Sequence, residues 1–144
     1  MRAYVIDTGV LVAAFRSQMG ASRQVLEAAR LKRFKLLLSV PLLMEYESVL
    51  IRPEHLAASG ASADDVAAVL DELALLAVRV ELHVRVRPAL PDPNDEMALE
   101  TAINGRADAI ITFNDRDFEP AAARFDCQVL KPGEALRRLA FRRK

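Results

Sequence analysis

The sequence predicts an α/β fold with a largely parallel central sheet. Short apolar runs with β-branched or aromatic residues, such as residues 3–6 and 109–112, are typical of buried strands. Helical patterns separate these runs, and such alternation favours parallel strands joined by helices. The 144 residues, of which 52% are hydrophobic, suffice for one core, so we expect a single domain over residues 1–144.

The individual elements follow from periodicity and from residues that begin or end helices. Ser39 is a typical N-cap and Pro41 fits a first helical turn, while Gly105 is expected to end the helix before it. Residues 78–86 alternate between apolar and polar, which predicts a half-exposed edge strand. Strands are predicted at residues 3–6, 35–38, 78–86, 109–112 and 128–130. Helices are predicted at residues 21–34, 39–52, 62–77, 95–104 and 132–141, with a short one between the last two strands.

Composition excludes several classes of protein. The 20 basic and 20 acidic residues give zero net charge, which argues against general electrostatic coating of DNA. The single cysteine, Cys127, excludes an internal disulfide framework and a multi-cysteine metal site. The longest apolar stretch, residues 36–44, is far shorter than the ~20 residues of a membrane helix. Asp7 interrupts the only apolar run near the N-terminus, so we expect no signal peptide and a cytoplasmic location.

Acidic side chains occur where predicted strands end or helices begin. Asp7 ends the first strand, and Glu45 lies on the helix after the second strand. Asp95 opens the helix before the fourth strand, and Asp115 and Asp117 follow that strand. Ligands of open α/β sheets bind outside the carboxyl ends of the strands. We therefore expect Asp7, Glu45, Asp95 and at least one of Asp115 and Asp117 to converge.

These acids also have simpler explanations. Asp7 could cap a following helix, the segment from Asp92 to Asp95 could be an N-cap with its first turn, and Asp115 and Asp117 could be ordinary loop acids.

Glu45 and Asp95 are harder to explain in that way, because both continue the apolar face of a predicted helix. A carboxylate turned toward a core is costly unless it is paired or bound to a metal. Ligands that are all oxygen favour Mg²⁺ or Mn²⁺, and such sites cleave phosphodiesters.

Four motifs together resemble one known family. They cover residues 5–14, 38–46, 92–102 and 107–118. In this order and spacing they resemble the PIN-domain toxins of bacterial and archaeal toxin–antitoxin pairs. The resemblance covers nearly the whole chain and implies a three-layer α/β/α fold.

The resemblance also implies a set of site residues. The first three acids of the family fall on Asp7, Glu45 and Asp95. The fourth falls on Asp117, with Asp115 close behind. Asp7, Asp95 and Asp117 would hold metal, and Glu45 would hold metal or orient the attacking water. Thr112 and Asn114 would be supporting hydrogen-bonding residues.

The implied activity is that of a Mg²⁺- or Mn²⁺-dependent endoribonuclease acting on single-stranded RNA. The toxin role further implies a small antitoxin partner and often a homodimer. One position departs from the family, because Gly9 stands where an asparagine is usual. That departure keeps open the alternative of a catalytically weak or inactive PIN domain that serves as a binding or scaffold protein.

Two unrelated families share short motifs with the chain. Residues 7–9 spell the Asp-Thr-Gly of aspartic proteases, but those are all-β proteins with a glycine-rich flap, and this chain is mostly helical with five glycines. Thr112 and Lys131 are placed as in receiver domains. A receiver, however, needs an aspartate where the second strand here ends in Ser39, and Asp7 has no acidic neighbour.

Cations could guide RNA toward the acids. Arg16, Arg52 and Arg116 each follow a candidate acid by a few residues. The end of the chain is also basic, which fits either a solvated helix end or a contact with phosphates. Its cations are Arg137, Arg138, Arg142, Arg143 and Lys144.

Overall fold

The computed structural model describes residues 1–85 and 96–141. Within these ranges five strands form one sheet: β1 (Ala3–Ile6), β2 (Lys35–Leu38), β3 (Val78–Arg79), β4 (Ala109–Ile111) and β5 (Gln128–Leu130). The helices of the same ranges are α1 (Thr8–Arg16), α2 (Ala21–Arg30), α3 (Val40–Leu50), α4 (Pro53–Ser59), α5 (Ala63–Leu76), α6 (Glu96–Gly105), α7 (Asp115–Ala123) and α8 (Pro132–Phe141). The predicted three-layer α/β/α fold is confirmed.

The order of the strands places a topological switch point beside β1. The sheet runs β3-β2-β1-β4-β5, and every neighbouring pair is parallel. The chain moves from β1 outward to β2 and β3, and then returns to the other side of β1 for β4 and β5. Ile6, the last residue of β1, pairs with Ile111, the last residue of β4. Ligand sites of open α/β sheets lie at such a reversal, outside the carboxyl ends of the strands.

Several predicted boundaries are confirmed by their capping contacts. Ser39 caps α3, because its Oγ accepts a hydrogen bond from the Leu42 N–H at 3.3 Å. Ser62 begins α5 with a capping box, in which Ser62 and Asp65 each accept from the backbone N–H of the other. The limits of β1, β2, β5 and α8 agree with the predicted ranges.

Helix α4 was not predicted, and α1 was indicated only by the possible cap at Asp7. Residues 10–15 of α1 are apolar throughout, so no amphipathic period marks this helix in the sequence. Helix α4 has the opposite pattern, since none of its seven residues is buried. Gly60 ends α4 in the left-handed conformation at φ 75°.

Two predicted elements are shorter in the structure. The helix predicted over 21–34 ends at Arg30, because Lys32 adopts φ 56° and the Arg33 N–H turns back to the Ala28 carbonyl at 2.9 Å. Within the described residues, the strand predicted over 78–86 forms β3 over Val78–Arg79, and residue 86 lies outside those residues. Its predicted position at the edge of the sheet is confirmed.

The side chain of Asn104 explains the short β3. Its Oδ1 accepts hydrogen bonds from the backbone N–H groups of His83 and Val84, both at 2.8 Å. Its Nδ2 donates to the Val84 carbonyl at 2.9 Å. This one amide takes the place of a neighbouring strand, and the chain leaves the ladder after the Val80 N–H donates to the Leu38 carbonyl at 2.9 Å.

Gly105 does not end α6 in the expected way. It is the last residue of α6, and the left-handed position belongs to Arg106 at φ 52°. A Cβ atom added to Gly105 would lie 2.8 Å from Val80 Cγ2 and 2.9 Å from Leu37 Cδ1. Close packing against β2 and the residue after β3 therefore requires glycine here.

None of the helices within the described ranges is long and apolar enough to cross a membrane.

Gly9 and Gly105 provide a matched test of this packing. A Cβ at Gly9, near the start of α1, would meet no atom within 4 Å. Gly9→Ala should therefore raise the free energy of unfolding by about 0.5–1 kcal/mol through helix propensity. Gly105→Ala should lower it by about 1–3 kcal/mol through overpacking. Urea unfolding of both variants checks the prediction, and shifts of the same sign would contradict it.

Candidate metal-dependent nuclease site

Asp7 lies at the switch point and is held by both of its carboxylate oxygens. It follows β1, caps α1, and donates its backbone N–H to the Ile111 carbonyl at 2.9 Å. Oδ1 accepts from the Thr8 N–H at 2.9 Å, and Oδ2 accepts from the Thr112 hydroxyl at 2.7 Å. Only 4% of the residue is exposed. The simple explanation that Asp7 caps a helix is correct, and the cap also fixes the direction of the carboxylate.

Thr8 links Asp7 to the second acid. Its hydroxyl donates to Glu45 Oε2 at 2.6 Å, while its N–H donates to Asp7. Glu45 is half-buried on α3, the helix that Ser39 begins directly after β2. One threonine therefore contacts a carboxylate that follows β1 and a carboxylate on the helix that follows β2.

Thr112 and the backbone of Asn114 are hydrogen-bonded at the end of β4, next to Asp7. The fully buried Thr112 hydroxyl donates to Asp7 and accepts from the Asn114 N–H at 2.9 Å. This pair of contacts ties the loop after β4 to the end of β1. Asn114 is exposed and lines the pocket described next.

A pocket of about 390 Å³ opens above these carboxylates. Asp7 and Glu45 lie on its wall together with Gly9, whose missing side chain leaves space. Arg52 and His55 also line it, so the pocket has both acidic and basic groups. The remaining lining residues are Thr8, Val12, Ser48, Val49 and Asn114.

His55 also lies at the pocket, although it was not among the candidate residues of the sequence. The structure brings His55 into the pocket because α4 folds back against α1, where Arg16 Nη2 lies 2.9 Å from His55 Nδ1. The sequence did contain one related signal. Residues 45, 48, 49 and 52 are spaced three or four apart, as on one face of a helix, which places Arg52 on the same side as Glu45.

The other candidate acids are not brought to this pocket by the described part of the chain. Asp115 is half-buried and Asp117 exposed on the first turn of α7, where negative charge suits the helix dipole. Neither lines the pocket of Asp7 and Glu45. Asp95 and Asp92 lie outside the described residues. Within residues 1–85 and 96–141, no three His, Cys, Asp or Glu side chains are arranged to hold a metal ion.

Helix α6 buries two further carboxyl groups that sequence reasoning did not select. Glu96 and Glu100 are only 3% and 1% exposed. The whole run from Ala98 to Ala102 is buried, so α6 is enclosed on all sides. A buried carboxyl group must be satisfied by its surroundings. The absence of any basic residue in α6 was the available signal.

Tyr46 is buried directly beneath the two site acids. Its hydroxyl donates to the carbonyl of Ile6 at the end of β1. Burial raises the pKa of this hydroxyl well above its usual value, and the negative charges of Asp7 and Glu45 raise it further. The phenol therefore stays neutral and remains a donor to the backbone that carries Asp7.

This raised pKa predicts a loss of stability in strong base. An unfolded tyrosine ionises near pH 10, whereas folded Tyr46 keeps its proton, so unfolding releases a proton above that pH. Above about pH 10, the free energy of unfolding of the wild type should therefore fall as the pH rises. For each pH unit it should fall by about 1.4 kcal/mol more than that of Tyr46→Phe. At pH 7 the wild type should be more stable by about 1–3 kcal/mol because of the buried hydrogen bond. Denaturant titrations from pH 7 to 11.5 test this, and parallel pH profiles would contradict it.

Comparison with known protein families agrees with this geometry. A family model described as the PIN domain matches residues 3–116, which include Asp7, Glu45, Asp95 and Asp115. No curated protein matches the chain. PIN domains are generally metal-dependent nucleases. On the strength of this match and the parallel α/β/α fold, the chain belongs to the PIN-domain family.

Proposed function

We propose that this protein is a Mg²⁺- or Mn²⁺-dependent endoribonuclease that cleaves single-stranded RNA and is the toxin of a toxin–antitoxin pair. One observation carries the proposal: Asp7 and Glu45 are held together by Thr8 in a pocket at the switch point of the sheet. Hydrolysis of a phosphodiester is the reaction that such a carboxylate pair supports in this family.

The donor atoms at this point fit a hard divalent cation. Both side chains offer carboxylate oxygens, and Mg²⁺ is commonly bound by one or two carboxylates, with water and substrate phosphate completing its shell. When bound, such an ion activates water and stabilises the leaving oxygen of a phosphodiester. Our proposed set is Asp7, Glu45, Asp95 and Asp117, with Asp115 as the alternative fourth acid.

Other residues of the chain position the two carboxylates or contact the substrate. Thr112 and the Thr8 N–H fix the Asp7 carboxylate, and the Thr8 hydroxyl fixes Glu45. Asn114 can donate its side-chain amide to a phosphate oxygen that enters the pocket. Tyr46 stays neutral and holds the backbone at Ile6, so Asp7 does not move as charge changes in the site.

A catalytically inactive PIN domain that only binds its partner is the second candidate. The observation that favours it is that the described residues supply no group of three metal-binding side chains. Gly9 also favours this candidate. The structure has space for the asparagine that is usual at this position, but glycine supplies no side chain there. Cleavage assays decide between the two candidates.

Asp7→Asn is the decisive substitution. Asparagine caps a helix about as well as aspartate, so the fold should be retained. We expect cleavage of a mixed single-stranded RNA pool to fall at least about 100-fold, since one charged ligand is lost. Glu47→Gln, an exposed acid two residues after Glu45, is the matched control and should cleave normally.

Metal binding is measured on the same proteins. Metal at about 100 times its dissociation constant should stabilise the wild type by roughly 2.7 kcal/mol, and Asp7→Asn by clearly less. No thermal shift with either metal, together with no RNA cleavage by the wild type, would favour the inactive candidate. The toxin role is tested by the adjacent reading frame, which should encode a small protein with a DNA-binding N-terminus.

Thr112 provides a separate prediction about positioning. Thr112→Val removes both the donor to Asp7 and the acceptor for the Asn114 N–H, while it keeps the shape of the side chain. We expect metal affinity to fall roughly 10- to 100-fold, the size of effect seen when a group supporting a metal ligand is lost. Thr112→Ser keeps the hydroxyl and should restore most of the affinity. Equal affinities of the two variants in a calorimetric titration would refute the role of Thr112.

A further inference from the structure

We propose that Arg16, Arg52 and His55 form a second subsite, which binds a neighbouring phosphate of the single-stranded RNA while the carboxylate end takes the scissile one. This inference deepens the proposed ribonuclease function and rests on it. It concerns the part of the pocket away from Asp7 and Glu45, where Arg52 and His55 form the wall.

Helix geometry separates the two ends of the pocket. On α3 and just beyond it, Glu45, Ser48, Val49 and Arg52 all line the pocket. At 1.5 Å per residue, Arg52 lies roughly 10 Å along the chain direction from Glu45. Thr8 and Val12 line the pocket from α1, and Arg16 follows one turn later. Arg16 does not itself line the pocket, but it contacts His55, whose backbone N–H donates to the Arg52 carbonyl at 3.0 Å.

The contact between Arg16 and His55 fixes the state of the histidine. A guanidinium has only donors, so His55 Nδ1 must accept the hydrogen bond from Arg16 Nη2 at 2.9 Å. Nε2 is then the ring nitrogen that faces away from Arg16 in this contact. In return, His55 orients the guanidinium of Arg16, whose remaining N–H groups stay available for an anion.

Within the described ranges some arginines have a carboxylate partner, and others, Arg33 among them, have none. Arg23, Arg30 and Arg79 each lie within 4.0 Å of a glutamate carboxylate. No carboxylate of the described residues lies that close to Arg16 or Arg52. Among the described residues, the pocket therefore has free cations at one end and a carboxylate pair that can bind a metal ion at the other. Such a pocket suits a ligand that carries negative charge at two points.

The middle of the pocket explains why a strand of nucleic acid is the preferred ligand. Val12 and Val49 offer aliphatic surface between the acidic and basic ends, and Ser48 adds an exposed hydroxyl. A single strand carries one phosphate per nucleotide with sugar and base between them. It can therefore place one phosphate at each end and apolar groups against the valines.

The test is RNA binding by full-length protein in the Asp7→Asn background, which prevents cleavage during the measurement. The probe is a fluorescently labelled single-stranded oligouridine, and the readout is anisotropy over a range of salt concentrations. Arg16→Gln and Arg52→Gln should each weaken binding roughly tenfold through loss of a charge-assisted hydrogen bond. Each should also flatten the dependence of log K on log salt by about 0.7, the value per phosphate contact on a single strand.

Arg33→Gln is the matched control. Arg33 is exposed and precedes β2, so it lies at the amino-terminal edge of the sheet, away from the pocket. It should change neither affinity nor salt slope by a comparable amount. Melting temperatures of all variants show whether any loss of binding comes from unfolding.

His55 acts as a positioning residue for Arg16, and two substitutions separate that role from packing. His55→Asn offers an oxygen near the position of Nδ1 and should keep most of the RNA affinity. His55→Leu cannot accept a hydrogen bond and should lose affinity without steepening the salt slope. Equal affinities of these two variants would contradict the positioning role.

The outcomes separate this subsite from the ribonuclease activity. Salt slopes of Arg16→Gln and Arg52→Gln that equal that of Arg33→Gln would overturn the subsite, whether or not the wild type cleaves RNA. Flattened slopes with no cleavage by the wild type would support the subsite and reject the proposed enzyme. A polyglutamate peptide that binds as tightly as the RNA, with the same losses in both variants, would assign these cations to an acidic protein and overturn the proposal.

Discussion

The hydrogen bond from the Thr112 hydroxyl to Asp7 joins the two strands on either side of the switch point. It places a polar side chain of β4's end against the carboxylate at the end of β1, in an environment where both residues are almost fully buried. A buried carboxylate requires such partners, and Asp7 obtains the second one from the first N–H of α1. The start of α1, the loop at Asn114 and the position of Glu45 all depend on this anchored group.

The acid site is built largely from groups that also serve the fold. Asp7 and Ser39 each begin a helix directly after a strand, and this capping determines where α1 and α3 leave the sheet. Thr8 then connects the two helices through Glu45. Tyr46, one residue further along α3, returns to the backbone of β1. The contacts that begin α1 and α3 therefore also fix the geometry of the site.

Much of this arrangement could be predicted from sequence, because strand ends and caps are local signals. The limits of β1, β2 and β5 and the caps at Ser39 and Ser62 all follow from neighbouring residues. The shortened β3 could not be predicted, since it depends on Asn104, about 20 residues away. His55 depends likewise on how α4 packs against α1. The contribution of Asp95 and of Asp115 or Asp117 stays a prediction.

The amide of Asn104 also limits how other chains can associate with this protein. Edge strands with free N–H and C=O groups accept an extra strand from another molecule. Here the segment after β3 has its N–H groups at His83 and Val84 and its carbonyl at Val84 occupied by one side chain. That stretch of the edge is closed to strand addition, which discourages runaway sheet growth between copies. Addition of a strand at His83 and Val84 would first have to displace this amide.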